Sequence, residues 1–322
     1  MGFVRHPRPR RHIFLFAFPR PPRLPPLRVN PLPATPVAPP AVAASASERS
    51  APLVIEAGRA DLHYWRDLWR YRELAVLLAW RDIQVRYKQA VLGITWALIQ
   101  PAVQTVLLWF VFGKLAKMPA GDESIPYPFL VLSGLLPWQL FSAAFNNAGN
   151  SLVGNSHLIS KVYFPRLIMP LSALAVALLD MLILLALTLP VMAAFDVWPT
   201  WRLLLLPLFT LGTLLIALGA GLWITALTVK FRDFRFIAPF ILQIGMFVTP
   251  VGYRTDLLPN WRDLLALNPL TSMVEGFRWC LLGGRTQFDP SGLAISLPIT
   301  ALLLITGLWY FRKTERHFSD VI

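Results

Sequence analysis

Few side chains in this sequence are suited to covalent, redox or metal chemistry. Cysteine occurs once, as Cys280, which permits neither an intramolecular disulfide nor a multi-cysteine metal site. The histidines are scattered and lie outside the apolar segments: His6, His12, His63, His157 and His317. No GxxxxGK[ST] segment is present, so we do not expect the chain by itself to hold ATP in the usual phosphate loop. The sequence therefore predicts no catalytic residue, no metal and no cofactor bound by this chain.

One carboxylate lies inside a long apolar segment. Asp180 is near the middle of residues 167–194. An isolated carboxylate there is costly unless it faces the interior of a helix bundle or a polar partner. A structural partner is the favoured interpretation, and a direct role in transport is the alternative. Proton-coupled carriers often use several intramembrane charges, whereas Asp180 is the main carboxylate in the apolar segments.

The composition is typical of a membrane protein with several spans. Of the 322 residues, 56% are hydrophobic and 15% are charged, and the mean hydropathy of +0.55 is too apolar for an ordinary soluble domain. The formal net charge is +13. The basic residues lie mainly before the first apolar segment and in alternate loops, which indicates positive-inside topology. We therefore expect the membrane as a partner and no nucleic acid.

Six apolar segments predict an all-α integral membrane protein with six transmembrane helices. They cover residues 94–113, 127–153, 167–194, 202–229, 236–253 and 293–311. The loops between them alternate between basic and neutral, which places both termini in the cytoplasm. Residues 254–290 then lie outside, in the periplasm. The apolar stretches within residues 264–282 are too interrupted to span, so we expect short re-entrant helices before the last span.

A charged helix precedes the first span. Apolar residues recur there at three- and four-residue steps: Trp65, Trp69, Val76, Trp80, Ile83 and Tyr87. A mostly basic stripe runs beside them: Arg66, Arg70, Glu73, Arg81, Gln84 and Lys88. The two stripes are about 100° apart around the helix. This pattern predicts an N-terminal amphipathic helix lying along the membrane surface.

These boundaries divide the chain into three parts. Residues 1–51 are dominated by Arg and Pro, and no acidic residue precedes Glu48, so we expect a disordered extension. A start codon assigned too far upstream and a basic lipid-binding tail are the two alternatives. Residues 52–93 form the amphipathic cytoplasmic interface segment, and residues 94–322 form the transmembrane domain.

Six ordered segments resemble the membrane subunit of type-2 ABC exporters for cell-surface polysaccharides, the permeases for O-antigen, capsule and teichoic acid. They are RDIQVRYKQAVLGITWALIQP, PYPFLVLSGLLPWQLFS, LISKVYFPR, KFRDFR, TPVGY and LNPLTSMVEGFRWCLLGG. The resemblance covers about Leu62 to the C-terminus. It implies a homodimer with two copies of a separate ATP-binding subunit, which binds the ATP and Mg²⁺. It also implies export of a polyprenyl-diphosphate-linked glycan, of O-antigen type or alternatively capsule or teichoic acid, across the bacterial inner membrane.

Two cytoplasmic segments resemble parts of this family that meet the ATPase. The helix from Tyr64 to Leu92 resembles the interface helix, and LISKVYFPR resembles the coupling helix that docks into the ATP-binding subunit. The resemblance therefore gives five candidate coupling residues: Ile159, Lys161, Tyr163, Phe164 and Arg166. The alternative is that these basic residues only set topology. Aromatic side chains in a cytosolic loop favour docking, because they have no topological purpose.

The implied substrate suggests two further groups of residues. Sugars stack on aromatic rings and pair their hydroxyls with amides, so the candidates for the glycan path are Trp138, Phe141, Phe145, Asn146, Phe247 and Tyr253. Core packing or contact with lipid is the alternative for each. Arg81, Arg86 and Lys88 lie where a lipid diphosphate headgroup would arrive, although they would serve equally well for bulk anionic lipid.

Two other classes of protein are less consistent with the sequence. A membrane-embedded glycosyltransferase needs an acidic catalytic pair near the membrane surface, but Asp61, Asp67, Glu73 and Asp82 are evenly mixed with arginines. A secondary transporter should show an internal repeat, and the sequence contains no repeated segment.

Overall fold

We describe the protein from a computed structural model, which covers residues 64–88, 93–120, 125–159, 161–198, 200–231, 233–315 and 318. The predicted extension at residues 1–51 lies outside these ranges. The helices are α1 Tyr64–Arg70, α2 Arg72–Lys88, α3 Gly93–Leu108, α4 Tyr127–Gly154, α5 Ser156–Ile159, α6 Ile168–Ala194, α7 Leu206–Lys230, α8 Phe234–Val248, α9 Arg262–Ala266, α10 Pro269–Leu281 and α11 Pro290–Glu315. α3 continues as π-helical turns over Trp109–Leu115, and a 3-10 turn, Trp201–Leu205, precedes α7.

Helix α4 is the centre of the bundle. It packs against α3, α6, α7, α8 and α10. Its apolar window is 72% buried, whereas the windows of the other long helices are 17–44% buried. The hydroxyl of Thr225 in α7 donates to the carbonyl oxygen of Ala148 in α4 over 2.8 Å. Most of α4, including Pro137, is therefore placed against protein rather than lipid, while Asn150 near its C-terminus is exposed.

Two glycines bring the backbones of α7 and α11 close together. A Cβ on Gly307 would lie 2.4 Å from the carbonyl oxygen of Gly219, and a Cβ on Gly219 would lie 2.9 Å from the backbone of Leu303. Only residues without a side chain allow the two backbones to approach so closely.

The long helices have their ends at two opposite faces of the bundle. The C-termini of α4, α7 and α11 and the N-terminus of α6 lie at one face, where Tyr64 contacts Glu315; we call this the basic end. At the opposite end the hydroxyl of Tyr127 donates to the carbonyl oxygen of Gly252 over 2.6 Å, and the rings of Phe129 and Phe195 lie 5.2 Å apart. The 28 residues of α4, about 42 Å of helix, separate the two ends.

Five segments in the described ranges are long and apolar enough to cross a membrane. They are Leu98–Leu115, Tyr127–Gly154, Ile168–Ala193, Trp201–Lys230 and Pro290–Glu315. These confirm the all-helical, multi-pass membrane fold. The predicted fifth span is α8, whose 15 residues extend about 22 Å, less than a hydrocarbon layer of about 30 Å. The sixth crossing therefore stays a prediction.

Residues 264–282 form short helices, as expected. Asn268 caps α10, because its side-chain oxygen accepts from the backbone N–H of Leu270 over 3.1 Å, and Pro269 occupies the first turn. α10 is buried over most of its length among α4, α7 and α11. Its position relative to a membrane stays a prediction.

Candidate functional site

The loop between α5 and α6, at the basic end, exposes one aromatic side chain and buries the next. Tyr163 is 69% exposed, whereas Phe164 is 4% exposed. Phe164 belongs to a buried cluster with Leu78 of α2, Leu167 and Phe311 of α11. Only Tyr163 of the pair is therefore available to a partner protein. The ring of Phe164 anchors the loop to the bundle, and its predicted contact with the ATPase stays a prediction.

The predicted coupling residues lie together. With Val162 they line one shallow cavity of about 290 Å³. Ile159 is partly buried against the same cluster as Phe164, while Lys161 is exposed. The arrangement gives a small hollow with one exposed ring and one exposed cation, which suits a protein contact. Its role in coupling stays a prediction.

A carboxylate that the sequence analysis did not select connects this loop to the bundle. Glu315, at the end of α11, accepts the backbone N–H of Arg166 over 2.9 Å and the hydroxyl of Tyr64 over 3.1 Å. The guanidinium of Arg166 donates to the backbone carbonyl of Glu315 over 2.5 Å. The guanidinium of Arg312 lies 4.4 Å from the centre of the Tyr64 ring. Burial and the Glu315 carboxylate both raise the pKa of Tyr64, so its hydroxyl stays a donor.

Glu315 therefore links three elements at the basic end: the interface helix through Tyr64, the coupling loop through Arg166, and the last long helix. Hydrogen bonds to a charged group are stronger than neutral ones. The three elements consequently form one connected unit. The only sequence signal for it was its position between the basic residues Lys313 and Arg316.

The interface helix, α1 with α2, has three faces rather than the two we predicted. The aromatic stripe of Trp65, Trp69, Val76 and Trp80 is 52–72% exposed. A separate face packs on the bundle, and it consists of Tyr64, Leu68, Tyr71, Leu74, Ala75 and Leu78. The aromatic stripe therefore faces away from the protein, as a helix lying along a membrane surface requires.

Asp180 is paired from the end of α2. The guanidinium of Arg86 forms an ion pair with its Oδ2 at 2.6 Å, and the hydroxyl of Tyr87 donates to its Oδ1. Both carboxylate oxygens are therefore partnered, and the prediction of a structural partner is confirmed. The pairing also means that Arg86, a predicted headgroup ligand, already has a carboxylate.

The other two predicted headgroup cations differ in their surroundings. The guanidinium of Arg81 contacts Asp82 Oδ1 at 2.6 Å and donates to Asn155 Oδ1 over 2.6 Å, so it joins α2 to the end of α4. Lys88 is exposed. Binding of a headgroup by these residues stays a prediction, and Lys88 is the member with the most accessible charge.

Three candidates for the glycan path are buried. Trp138, Phe141 and Phe145 are 5%, 9% and 3% exposed, and successive rings lie 5.7 Å apart along α4. The Trp138 indole packs against α8, where a Cβ on Gly245 would lie 3.1 Å from it. In this structure these rings fill the core of the bundle, and their contact with a glycan stays a prediction. Their spacing is that of one helix face, so it could not distinguish the two roles.

The remaining candidates for the path are accessible to different degrees. Asn146 is half-buried. Tyr253 is also half-buried, and its hydroxyl donates to the carbonyl oxygens of Phe247 and Val248 over 3.2 and 3.3 Å. Phe247 is 61% exposed on an apolar face of α8 that also carries Phe236 and Phe240, 78% and 61% exposed. Only Phe247 thus presents most of its ring to lipid, to a second copy or to a substrate.

A buried arginine organises the opposite end. Arg278 of α10 is 3% exposed and donates to the carbonyl oxygens of Val251, Tyr253 and Leu130 over 2.7, 2.9 and 3.3 Å. Burial lowers the pKa of Arg278 to about 10, so it stays protonated at neutral pH. These contacts could not be predicted from the sequence, because all three acceptors lie 25 residues or more from Arg278 along the chain.

Comparison with known proteins identifies the family. Residues 73–282 match the family model described as ABC-2 type transporter. The chain is 28% identical over 261 residues to the O-antigen export system permease protein RfbA of Myxococcus xanthus, covering 80% of this chain and 98% of that protein. It is 27% identical to the O-antigen export system permease protein RfbA of Klebsiella pneumoniae, covering 78% of this chain and 95% of that protein. It is also 27% identical to the polysialic acid transport protein KpsM of Escherichia coli, covering 73% of this chain and 91% of that protein. Because the family model covers more than half of the sequence, this multi-pass membrane protein belongs to the ABC-2 type transporter family.

Proposed function

We propose that this chain is the permease subunit of an exporter that moves a lipid-linked polysaccharide across the bacterial inner membrane. The relatives named above are an O-antigen export permease and a polysialic acid transport protein, and each is matched over nine-tenths of its length or more. The match covers a larger share of the O-antigen export permease than of the polysialic acid transport protein, which favours an O-antigen type of glycan over a capsule. ATP and Mg²⁺ would be bound by a separate ATPase subunit.

The observation that supports the ATPase partner is the loop at the basic end. Tyr163 is 69% exposed, while Phe164 and Arg166 beside it are fixed to the bundle. An exposed aromatic side chain on an anchored loop loses little conformational entropy on binding, which is typical of residues that dominate an interface. The ATPase would dock here, and Glu315 would carry its movement to the interface helix and to α11.

A path for a glycan is proposed to lie between two copies of the chain. The described bundle is closely packed around α4, so an extended sugar polymer has no route through it. Exposed apolar faces occur on α3, at Val103, Val106 and Leu107, and on α8. A large exposed apolar face on either helix suits a homodimer in the membrane, with each face partly covered by the other copy.

The proposal is tested by co-expression with candidate P-loop ATPases from the same genome. We expect the two proteins to co-purify, and the pair reconstituted in vesicles to translocate a lipid-linked glycan with ATP. The permease alone should translocate none. Net ATP-dependent export by the permease alone, or the absence of any ATPase from the purified complex, would contradict the proposal.

Replacing Tyr163 tests the docking loop. Tyr163→Ala should weaken assembly with the ATPase by about 2 kcal/mol, or roughly 30-fold in Kd, without changing the thermal stability of the permease. Trp261→Ala is the matched control, because Trp261 is 58% exposed at the opposite end. An unchanged affinity for the ATPase in the Tyr163 variant would exclude this loop as the docking site.

A further inference from the structure

A second cavity lies at the opposite end of the bundle from the coupling loop. It has a volume of about 280 Å³ and is formed by the segment after α8, the starts of α9 and α11, and one face of α10. Several lining residues, among them Arg262, Gln287 and Pro290, are exposed, so the cavity opens to the surface. Its volume is close to the lower limit of ordinary small-molecule sites, about 300 Å³. It therefore has room for one small ring rather than for an oligosaccharide.

The charged groups that line this cavity balance one another. Three arginines face three carboxylates: Arg254, Arg262 and Arg278 with Asp256, Glu275 and Asp289. Arg254 is paired with Asp256 at 2.5 Å and Arg262 with Asp289 at 2.7 Å, while Glu275 accepts from Thr255. A lining with equal numbers of positive and negative groups offers many hydrogen-bond donors and acceptors but little net charge. It suits an uncharged ligand rich in hydroxyl groups better than an anion or a cation.

One polar group in the lining lacks a partner. Thr286 is 6% exposed, and its hydroxyl has no hydrogen-bond partner among the described residues. A buried hydroxyl without a partner is unfavourable and usually has a specific reason, such as a ligand or an ordered water. Next to it, Phe288 is half-buried and held between the rings of Phe209 and Trp279, each 5.6 Å away. The cavity lining thus includes an aromatic ring and a threonine whose enclosed hydroxyl is unsatisfied.

We propose that this cavity binds a single uncharged sugar ring of the exported glycan. An aromatic ring beside paired polar side chains is the combination that recognises the apolar face and the hydroxyls of a pyranose. The proposal rests on the proposed export of a glycan and narrows its substrate class to sugars without a carboxylate. The cavity lies at the end of the bundle away from the ATPase, where the polymer would leave the protein.

The test measures binding of simple sugars to the full-length chain in detergent by saturation-transfer NMR. The ligands are the methyl glycosides of glucose, galactose, mannose and N-acetylglucosamine, with that of N-acetylneuraminic acid as an anionic comparison. We expect saturation transfer to at least one uncharged glycoside and weaker or no transfer to the anionic one. Thr286→Val should weaken that binding about fivefold, the effect of one lost hydrogen bond, without lowering the melting temperature.

The matched control is Thr228→Val. Thr228 is 4% exposed and its hydroxyl also has no partner among the described residues, but it lies at the basic end of α7. This variant should bind the glycosides as the wild type does. Phe288→Ala is a second variant with an independent contact, and it should also weaken binding.

Three results would overturn the proposal: transfer to none of the uncharged glycosides, equal binding by the wild type and Thr286→Val, or stronger binding of the anionic glycoside. Sugar binding is measured without the ATPase. If the chain does not assemble with an ATPase, the proposed function is contradicted but the sugar-binding result is unaffected. If the cavity binds no sugar, the sugar-binding proposal is contradicted but assembly and export are unaffected.

Discussion

The pairing of Arg86 with Asp180 predicts the result of a double-mutant cycle. If the ion pair is the main role of Arg86, Arg86→Gln leaves an unpaired carboxylate in α6, while Asp180→Asn leaves an arginine that is 45% exposed and can reach water. The two single changes should therefore be unequal in cost. The double change should cost less than the sum of the two single changes, because it removes both charges together.

The structure bounds the size of these effects. Exposed pairs contribute about 0–1 kcal/mol, whereas removing one partner of a buried pair costs about 3–5 kcal/mol. The Asp180 side chain is 17% exposed and that of Arg86 is 45% exposed, so this pair lies between the two classes after allowance for solvent screening. We expect Arg86→Gln to cost about 2 kcal/mol, Asp180→Asn about 1 kcal/mol, and a coupling energy of about 1 kcal/mol.

The assay is thermal unfolding of the four detergent-purified proteins. In a domain of this size about 1 kcal/mol shifts the melting temperature by roughly 2–4 °C, so each step is measurable. Lys88→Gln is the control, since Lys88 is exposed and should change the melting temperature little. Additive losses in the double variant would refute the ion pair as the role of Arg86. Loss of lipid-linked glycan binding in Arg86→Gln that is not restored in the double variant would instead support its predicted contact with the headgroup.

Three further changes test other parts of the structure. Gly307→Ala should separate α7 from α11 and destabilise the protein by about 1–3 kcal/mol, measured as a lower melting temperature. Gly154→Ala is the control and should change the melting temperature little, because no atom lies within 4 Å of the new Cβ. Equal effects of the two substitutions would contradict the close contact between α7 and α11. Glu315→Gln preserves the size of the side chain but weakens its hydrogen bonds to Tyr64 and Arg166. The amount of glycan exported per ATP hydrolysed should therefore fall while the complex still assembles. An unchanged ratio would show that Glu315 does not couple ATP hydrolysis to export. Burial raises the pKa of Glu275, so the folded state binds the carboxyl proton more tightly than the unfolded state does. As the pH falls from 8 to 5, the free energy of unfolding of the wild type should therefore rise relative to that of Glu275→Gln. A difference between the two proteins that does not depend on pH would refute the raised pKa of Glu275.

The sequence was sufficient to predict features that depend on a single helix. Uninterrupted apolar runs predicted the long helices, and the cost of a lone carboxylate in lipid predicted a partner for Asp180. The identity of that partner could not be predicted, because Arg86 lies 94 residues earlier in the chain and meets Asp180 only when α2 packs on α6. The same holds for Glu315, whose contacts with Tyr64 and Arg166 depend on three elements meeting at one end.

Some predicted site residues have a pattern that fits two environments. Trp138, Phe141 and Phe145 share one face of α4, and a face of aromatic residues is equally suited to a core or to a sugar path. Tyr163 and Phe164 are adjacent and chemically alike, and the packing of their loop against several helices decides which ring is buried. Helical periodicity tells which residues face the same way but not what they face.

The central position of α4 has a consequence for how the protein is made. α4 is among the least apolar of the five long helices, with a hydropathy of 1.4 against 2.5 for α6 and 2.3 for the segment containing α7. The helices that pack most extensively against α4, which are α6 and α7, are synthesised after it. At roughly 5–20 residues per second, several seconds pass between the emergence of α4 and the completion of α7. During that interval α4 must be held in the translocon or shielded by an insertion chaperone, because lipid alone cannot satisfy its polar groups. Nascent chains truncated after Gly154 should consequently remain beside the translocon, and chains that extend past Lys230 should be released from it.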